Sequence, residues 1–341
     1  VSDWLMAGGT VEALAKMADR LPDWHSAENE LACQARKIAH QSGGEHLTDF
    51  GNARRLVVLH GKDLCYVPQW GWLIWDGSRW SRDETGEVMR RAKQTVLSIY
   101  GEIPSFENLH ERKVPVQWAL KSEAEPRLRA MVELAKTESG IAVTPGLFDP
   151  DPWLLNVKNG TLDLHTGVLR AHSREDRITK LVPVDYAPDA VCPTWDAFLQ
   201  KVMRNHTALV DFIQRAVGYA LTGDTREQVL FILHGTGANG KTTLLLVLMA
   251  LLADYASQTP TETLLVKKTG SIPNDVARLH GTRLVSAVEV EGGKRLAEAL
   301  VKQLTGGDKI TARFMFREFF EFIATFKLFL ATNHKPEIRG T

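Results

Sequence analysis

The chain has 341 residues, with 41 basic and 41 acidic side chains, 44% apolar residues and three cysteines. This composition excludes a wholly disordered chain, which would combine few apolar residues with a large net charge. The length predicts two domains of roughly 150 residues each. The longest apolar run, 243–253, is about half the ~20 residues that a membrane helix needs. We therefore expect a protein of a reducing cytoplasm without a membrane segment.

The first 45 residues form an acidic, helix-favouring segment. Thr10 is a candidate N-cap for a helix that starts at Val11. The first 30 residues carry six acids and two bases, so this part is a poor platform for DNA and we expect a helical linker at 1–45. Because the chain begins with Val1 and not with methionine, we expect it to be a piece of a longer protein.

Residues 46–190 predict a smaller mixed α/β domain in which short strands alternate with helices. The apolar run Leu56–Leu59 indicates a strand, and Asp76-Gly77 between two tryptophan-bearing runs indicates a hairpin. A second hairpin is predicted within 159–169. Helices are predicted at Glu87–Tyr100 and Glu125–Glu138.

Four tryptophans crowd the first hairpin: Trp70, Trp72, Trp75 and Trp80. They could form a platform on which the bases of single-stranded nucleic acid stack. They could instead form a small hydrophobic core, which is the more common use of aromatic side chains in a small sheet. We favour the core.

Residues 191–341 predict a second domain, an α/β fold with a parallel sheet, after a proline-punctuated linker. Thr194 is a candidate N-cap for a helix starting at Trp195, and two helices are expected to run to about Leu221. Buried strands that alternate with helices are typical of parallel sheets. Strands are predicted at Val229–Leu233, Arg283–Val290 and Lys327–Thr332.

The strongest motif follows the first of these strands and fits G-x-x-x-x-G-K-[ST], the P-loop. It consists of Gly235, Thr236, Gly237, Ala238, Asn239, Gly240, Lys241, Thr242 and Thr243. Glycines let backbone N–H groups turn toward phosphates, and the helix N-terminus adds its positive dipole end. Lys241 is expected to reach the β- and γ-phosphates of ATP, and the Thr242 hydroxyl to bind Mg²⁺. The alternative is a glycine-rich turn with an accidental lysine.

Acidic side chains are expected at the end of a neighbouring strand. Glu289 and Glu291 share one face of the strand that starts at Arg283. One of them would hold the Mg²⁺ shell and the other would polarise the attacking water, or both could be solvated acids at a strand end. Asn333 ends the last strand and could hydrogen-bond the γ-phosphate or the water.

A basic segment lies between the acidic strand and Asn333. It carries four bases and one acid: Lys302, Lys309, Arg313, Arg317 and Asp308. Bases interleaved with aromatic residues suit a nucleic-acid backbone and its bases. A solvated hairpin whose charges bind nothing specific is the alternative, and both interpretations stay open.

Together these motifs resemble the superfamily 3 helicase domain of phage and plasmid primase-helicases, which are related to poxvirus primase-helicases. The resemblance rests on the P-loop with Asn239 before Gly240, the Glu-x-Glu strand, Gly306-Gly307-Asp308 and 331–336. Asn156–Leu164 resembles the domain before the helicase in that family, and Ser2–Leu5 the segment after a primase domain.

The resemblance implies an AAA+-like P-loop ATPase that is a DNA helicase in replication. It implies a ring, usually a hexamer, around one strand of single-stranded or forked DNA, with a primase domain in the same longer chain. Glu289 and Glu291 would be the Walker B acids, with Glu289 as a metal ligand, although Val290 between them leaves their separate roles open. Asn333 would be sensor 1. Lys309, Arg313 and Arg317 would contact DNA from a hairpin within Lys309–Phe320.

The resemblance also implies an arginine finger beyond sensor 1. Arg339 is the only arginine after Asn333, and the usual finger falls further along, so we expect domain 191–341 to be C-terminally incomplete. The cytoplasm of a bacterial host is the implied location, with a phage, prophage or plasmid as the source.

Two functions from different classes remain. The first is an ATP-driven motor that unwinds DNA, and the second is a nucleotide-gated DNA-binding or initiator module without processive unwinding. A P-loop kinase of small molecules is a distant third, because the sequence suggests no site for its second substrate.

Overall fold

The computed structural model describes residues 46–102, 109–266, 274–288, 295–313 and 318–334. These residues group into two compact units. The first takes in the described residues up to Ile74 together with Arg82–Thr144, and the second takes in Trp75–Ser81 and the described residues from Pro145 onward. The predicted linker at 1–45, with Thr10, lies outside the described residues. The predicted domain boundaries at 45 and 190 stay predictions.

The helices of the described residues are numbered in chain order. They are α1 (Asp49–His60), α2 (Glu87–Glu102), α3 (Leu109–Ser122), α4 (Glu125–Ala135), α5 (Pro193–Val202), α6 (Thr207–Leu221), α7 (Lys241–Leu252), α8 (Asn274–Ala277) and α9 (Glu298–Thr305). None of them is long and apolar enough to cross a membrane.

The strands of the same residues form separate small sheets. They are β1 (Leu64–Val67), β2 (Gly71–Trp75), β3 (Trp80–Arg82), β4 (Leu154–Val157), β5 (Gly160–Asp163), β6 (Leu169–Arg170), β7 (Leu230–His234), β8 (Ala256–Gln258), β9 (Leu284–Val288), β10 (Lys309–Ala312), β11 (Phe320–Ile323) and β12 (Lys327–Thr332).

The core of the first unit is made by helices α1, α2 and α4, whose apolar faces meet around Leu56, Val96 and Met131. The predicted strand at Leu56–Leu59 is wrong, because these residues lie in α1. Their β-branched side chains favour a strand locally. Packing of one helical face against α4 overrides that preference, as tertiary contacts often do.

The predicted hairpin at Asp76-Gly77 is confirmed as β2 and β3. The Asp76 carboxylate accepts hydrogen bonds from the backbone N–H groups of Ser78 and Arg79, at 2.8 and 2.9 Å. Gly77 has φ +99°, a conformation that L side chains rarely adopt. The tip of this hairpin, residues 75–81, belongs to the second unit.

Two tryptophans of the hairpin, Trp72 and Trp80, serve packing, as the favoured interpretation predicts. Trp80 is 2% exposed, its Nε1 donates to the Arg174 carbonyl at 2.9 Å, and its ring meets Phe148 edge-on. Trp72 packs on the core of the first unit. Since the tryptophans take part in two different units, they do not form one shared core.

The second unit is built on a parallel four-stranded sheet with the order β7-β12-β9-β8. Leu330 of β12 is in register with Ile232 of β7 and with Ala287 of β9. Every residue of β12 is buried, which is typical of the central strand of a parallel sheet. The predicted parallel α/β fold is therefore confirmed, and so is the smaller mixed α/β part before it.

The strand order corrects one expectation. The strand that leads toward Glu289 and Glu291 is β9, and it does not neighbour β7, the strand before the P-loop. β12 lies between them and pairs with both. Every residue of β12 is buried, so the central position, where both edges and both faces of the strand are covered, stabilises the fold most.

Smaller elements flank this sheet. Strands β4, β5 and β6 form an antiparallel sheet, which confirms the second predicted hairpin, and β10 pairs antiparallel with β11. Helix α5 begins at Pro193 with Cys192 as its N-cap and no side-chain cap. The predicted cap at Thr194 is therefore wrong. Proline is favoured at the first helical position, so the helix starts at Pro193, two residues before the predicted start at Trp195.

Two buried basic side chains lie at the edge of the sheet where β9 and β12 begin. Lys327 Nζ donates to the backbone carbonyls of Thr222 and, at 3.0 Å, Asp224. The guanidinium of Arg283 donates to the Leu221 carbonyl at 2.5 Å. Among the described residues no carboxylate lies within ion-pair distance of either group. Backbone carbonyls at and just beyond the end of α6, together with that of Leu154, provide the negative partial charge.

Burial lowers the pKa of Lys327 to about 7, with a further contribution from the positive charge of Arg283 and an opposing one from Asp224. Between pH 7 and the ordinary lysine value of about 10.4, the unfolded chain holds a proton that the folded chain does not. The free energy of unfolding therefore rises with pH across that window.

We predict that Lys327→Met removes this rise. The free energy of unfolding of the parent should climb relative to the variant by at most about 1.4 kcal/mol per pH unit between pH 7 and 10. Urea denaturation at a series of pH values measures the difference. Parallel pH profiles for the two proteins would contradict the assignment of a depressed pKa to Lys327.

Candidate functional site

The P-loop connects the end of β7 at His234 to the start of α7 at Lys241. Ala238 has φ +59° and Gly240 has φ +84°, so the loop reverses direction through left-handed backbone. Gly240 is the N-cap of α7 and supplies no side-chain acceptor to the first turn. The N–H groups of that turn are therefore left for another acceptor, which is the arrangement that binds anions at helix N-termini.

Lys241 is the centre of the site. Its Nζ donates to the backbone carbonyl of Gly235 at 2.5 Å and to the side-chain oxygen of Asn239 at 2.9 Å. It also donates to the side-chain oxygen of Asn333 at 3.1 Å. The structure thus brings together the lysine, the loop asparagine and the strand-end asparagine that the sequence singled out.

The position of β12 explains why Asn333 reaches the lysine. Thr332 is in register with His234, the last residue before the loop, and the N–H of Gly235 donates to the Thr332 carbonyl at 3.3 Å. The two strands are parallel, so both end at the same edge of the sheet. The side chain that follows β12 consequently lies beside the side chains of the P-loop.

Helix α5 supports the loop from another direction. A Cβ atom added to Gly240 would lie 2.5 Å from Val202 Cγ1 and 3.3 Å from the ring of Phe198. The sequence did not identify Val202 and Phe198 as residues of the site. The only signal was that a predicted helix precedes β7, and no local pattern shows which of its residues face the loop.

The other predicted nucleotide ligands are only partly described. Thr242 and Thr243 are exposed in the first turn of α7. β9 ends at Val288, which is in register with Ala331, so this strand also ends at the edge that carries Asn333. Glu289 and Glu291 follow it and lie outside the described residues. No cluster of three metal-ligating side chains occurs in the part of the chain that the structure describes.

Two of the predicted DNA-binding residues, Lys309 and Arg313, lie on the β10–β11 hairpin. Lys309 is exposed, and its Nζ lies 3.4 Å from a carboxylate oxygen of Glu321. The guanidinium of Arg313 lies over the ring of Phe319 at 4.9 Å. Arg317 and the other residues of 314–317 lie outside the described residues, as does Arg339.

Two family matches divide the chain. Residues 53–204 match the D5 N-terminal-like family, and residues 233–341 match a family of unknown function, DUF5906. The first stretch is therefore similar to D5 N-terminal-like domains. The predicted boundary at residue 190 falls inside it.

A protein of Acanthamoeba polyphaga mimivirus that is named as a candidate helicase is 28% identical over 199 residues. The match covers 56% of this chain and 20% of that relative, so the chain spans about a fifth of its length. Together with the family matches, this relative confirms the resemblance to phage and viral primase-helicases.

Among solved structures, the apo C-terminal region of NrS-1, residues 305–718, has a TM-score of 0.47 at 11% identity. The alignment covers 83% of this chain and 57% of that one. A second structure of the same region, its A form, has a TM-score of 0.45 at 13% identity, with coverages of 82% and 56%.

We predict that Gly240→Ala destabilises the second unit while Gly237→Ala does not. The first change places a methyl group against Val202 in a left-handed conformation, which should cost about 1–3 kcal/mol. A Cβ at Gly237 meets nothing within 4 Å. Urea unfolding followed by circular dichroism compares the two variants with the parent. Equal loss of stability in both would contradict the described packing of α5 on the loop.

Proposed function

We propose that this chain is the ATP-driven motor part of a replicative primase-helicase, which moves along DNA and unwinds it. The observation that carries the proposal is the meeting of Lys241 and Asn333 at one edge of the parallel sheet. A lysine at the start of a helix and an amide at the end of the inserted strand are the groups that P-loop chemistry needs around a terminal phosphate. The domain match and the mimivirus relative support the same conclusion.

The residues present fit ATP and Mg²⁺. Lys241 supplies a charge that can pair with phosphate oxygens, and the first turn of α7 supplies N–H groups without a side-chain cap. Thr242 is exposed beside Lys241, so its hydroxyl can join the shell of Mg²⁺. When bound, ATP supplies a phosphoanhydride bond whose cleavage releases the free energy for movement.

The chain's own residues would divide the work at this edge of the sheet. Lys241 would hold the β- and γ-phosphates and neutralise the charge that develops during cleavage. Asn333 would orient the γ-phosphate or the attacking water through its amide. We assign the metal shell and the polarisation of that water to Glu289 and Glu291 jointly, because both follow β9, which ends at this edge.

DNA would be contacted by the β10–β11 hairpin through Lys309, Arg313 and Arg317. The Lys309–Glu321 pair is exposed, and such pairs contribute little stability, so the lysine can exchange its carboxylate partner for a DNA phosphate. We further propose assembly into a ring, with six copies as the expected number, in a longer chain that also has a primase domain. The site of action would be the cytoplasm of a bacterial host.

We predict that Lys241→Ala weakens ATP–Mg²⁺ binding at least about tenfold, because it removes the only side-chain cation of the P-loop. Isothermal titration calorimetry measures the dissociation constant. Lys121→Ala is the matched control, since Lys121 is an exposed lysine of α3 and should leave the constant unchanged. ATP binding by the Lys241 variant at the parental strength would show that the P-loop is not the nucleotide site.

We predict that Lys309→Ala with Arg313→Ala flattens the salt dependence of DNA binding. The slope of log K against log salt concentration should decrease by about 1 for each lost phosphate contact. A double variant of two exposed lysines elsewhere, Lys62→Ala with Lys121→Ala, is the control. Fluorescence anisotropy with single-stranded DNA measures both slopes. If the hairpin variant keeps the parental slope, the DNA path lies elsewhere.

A strand-displacement assay separates the motor from a nucleotide-gated binding module. A motor displaces the labelled strand of a forked duplex only when ATP is hydrolysed. A binding module would hold the same DNA in an ATP-dependent way and displace nothing.

A further inference from the structure

The ammonium group of Lys241 has as many acceptors as it has donors. A lysine donates three hydrogen bonds, and the described residues offer three acceptors: the Gly235 carbonyl, Asn239 Oδ1 and Asn333 Oδ1. We propose that Asn239 is a positioning residue that holds Lys241 in this satisfied state and competes with incoming phosphate for it. The inference rests on the proposed function, since it concerns the same P-loop. We call the set Gly235, Asn239 and Asn333 the lysine latch.

The geometry of the loop fixes Asn239 in the latch. A Cβ atom added to Gly235 would lie 2.3 Å from Asn239 Nδ2, so the amide rests directly on a glycine that leaves room for it. Lysine is only a donor, so the amide turns its oxygen toward Nζ and its nitrogen toward Gly235. Residue 235 thus contributes twice, through its carbonyl and through the absence of a side chain.

Binding of phosphate has to break part of the latch. Lys241 has no donor to spare, so a phosphate oxygen that takes a hydrogen bond from Nζ replaces one of the three acceptors. Asn239 Oδ1 is more readily replaced than the Gly235 carbonyl. Asn239 is exposed and belongs to the loop itself, whereas Gly235 is bound to Thr332 through its backbone N–H. The hydrogen bond from Lys241 to Asn239 therefore lowers the affinity for nucleotide, because it has to break when phosphate binds.

Two substitutions at residue 239 should act in opposite directions. Asn239→Ala removes one competing acceptor, and an ordinary hydrogen bond corresponds to a rise in ATP–Mg²⁺ affinity of about threefold to tenfold. Asn239→Asp places a full negative charge against Lys241, which strengthens the latch and repels phosphate. Its affinity should fall more than about tenfold, because hydrogen bonds between charged groups are roughly twice as strong.

Two measurements test the inference: the affinity for ATP–Mg²⁺, and the chemical reactivity of Lys241 in the absence of nucleotide. Calorimetry gives the dissociation constant for ATP–Mg²⁺ of the parent, Asn239→Ala, Asn239→Asp and the control Gln117→Ala, which changes an exposed amide of α3. In the absence of nucleotide, an amine-reactive ester modifies exposed lysines, and mass spectrometry follows the rate at Lys241. The exposed Lys62 and Lys121 report the same rate within each sample and serve as internal references.

If the lysine latch operates, Asn239→Ala speeds modification of Lys241 severalfold and tightens ATP binding. Asn239→Asp slows modification of Lys241 and weakens ATP binding. If Asn239→Ala leaves the rate unchanged or weakens ATP binding, the inference is overturned, and Asn239 is then at most a direct ligand of the nucleotide. Failure of the proposed function looks different: Lys241→Ala would bind ATP as well as the parent, whatever the modification rates show.

Discussion

The hydrogen bond between Lys241 and Asn333 depends on one feature of the fold, the insertion of β12 between β7 and β9. Because β12 pairs directly with β7, the residue after β12 and the loop after β7 lie side by side at the same edge of the sheet. Two short polar segments that are far apart in the sequence therefore face each other across a distance of 3.1 Å. Helix α5 packs against the loop at Gly240, and buried leucines of α7 pack in the core of the second unit.

Basic side chains lie at both ends of the parallel sheet and donate to backbone carbonyls there, but one end is buried and the other is exposed. Where the strands begin, Lys327 and Arg283 are buried and donate to backbone carbonyls at and just beyond the end of α6. Where they end, Lys241 takes the carbonyl of Gly235. The buried end is satisfied permanently and stabilises the fold. At the exposed end Lys241 also donates to the amide oxygens of Asn239 and Asn333, which a phosphate can replace, so only this end suits a ligand that binds and leaves.

The site was predictable from the sequence where its chemistry is local. A strand, a glycine-rich turn and a helix that begins with lysine are contiguous, so the P-loop could be located to the residue, and the hairpin at Asp76-Gly77 likewise. Strand order was not predictable, because the position of β12 is decided by burial on both faces and not by any neighbour in the chain. The apolar run at Leu56–Leu59 is helical, contrary to its local pattern, for the same reason: its packing partners lie on α4. The support that Val202 gives to Gly240 is likewise a contact between distant segments.

Hydrogen exchange of the backbone amides with and without saturating ATP–Mg²⁺ tests the central claim most directly, because it locates the nucleotide without relying on turnover. In the proposed function, the edge formed by the P-loop and the end of β12 binds the nucleotide. ATP–Mg²⁺ should therefore slow exchange in 235–244 and 332–334, and leave β1 and β2 of the first unit unchanged. Protection confined to the β10–β11 hairpin or to the first unit, with no change at 235–244, would contradict it.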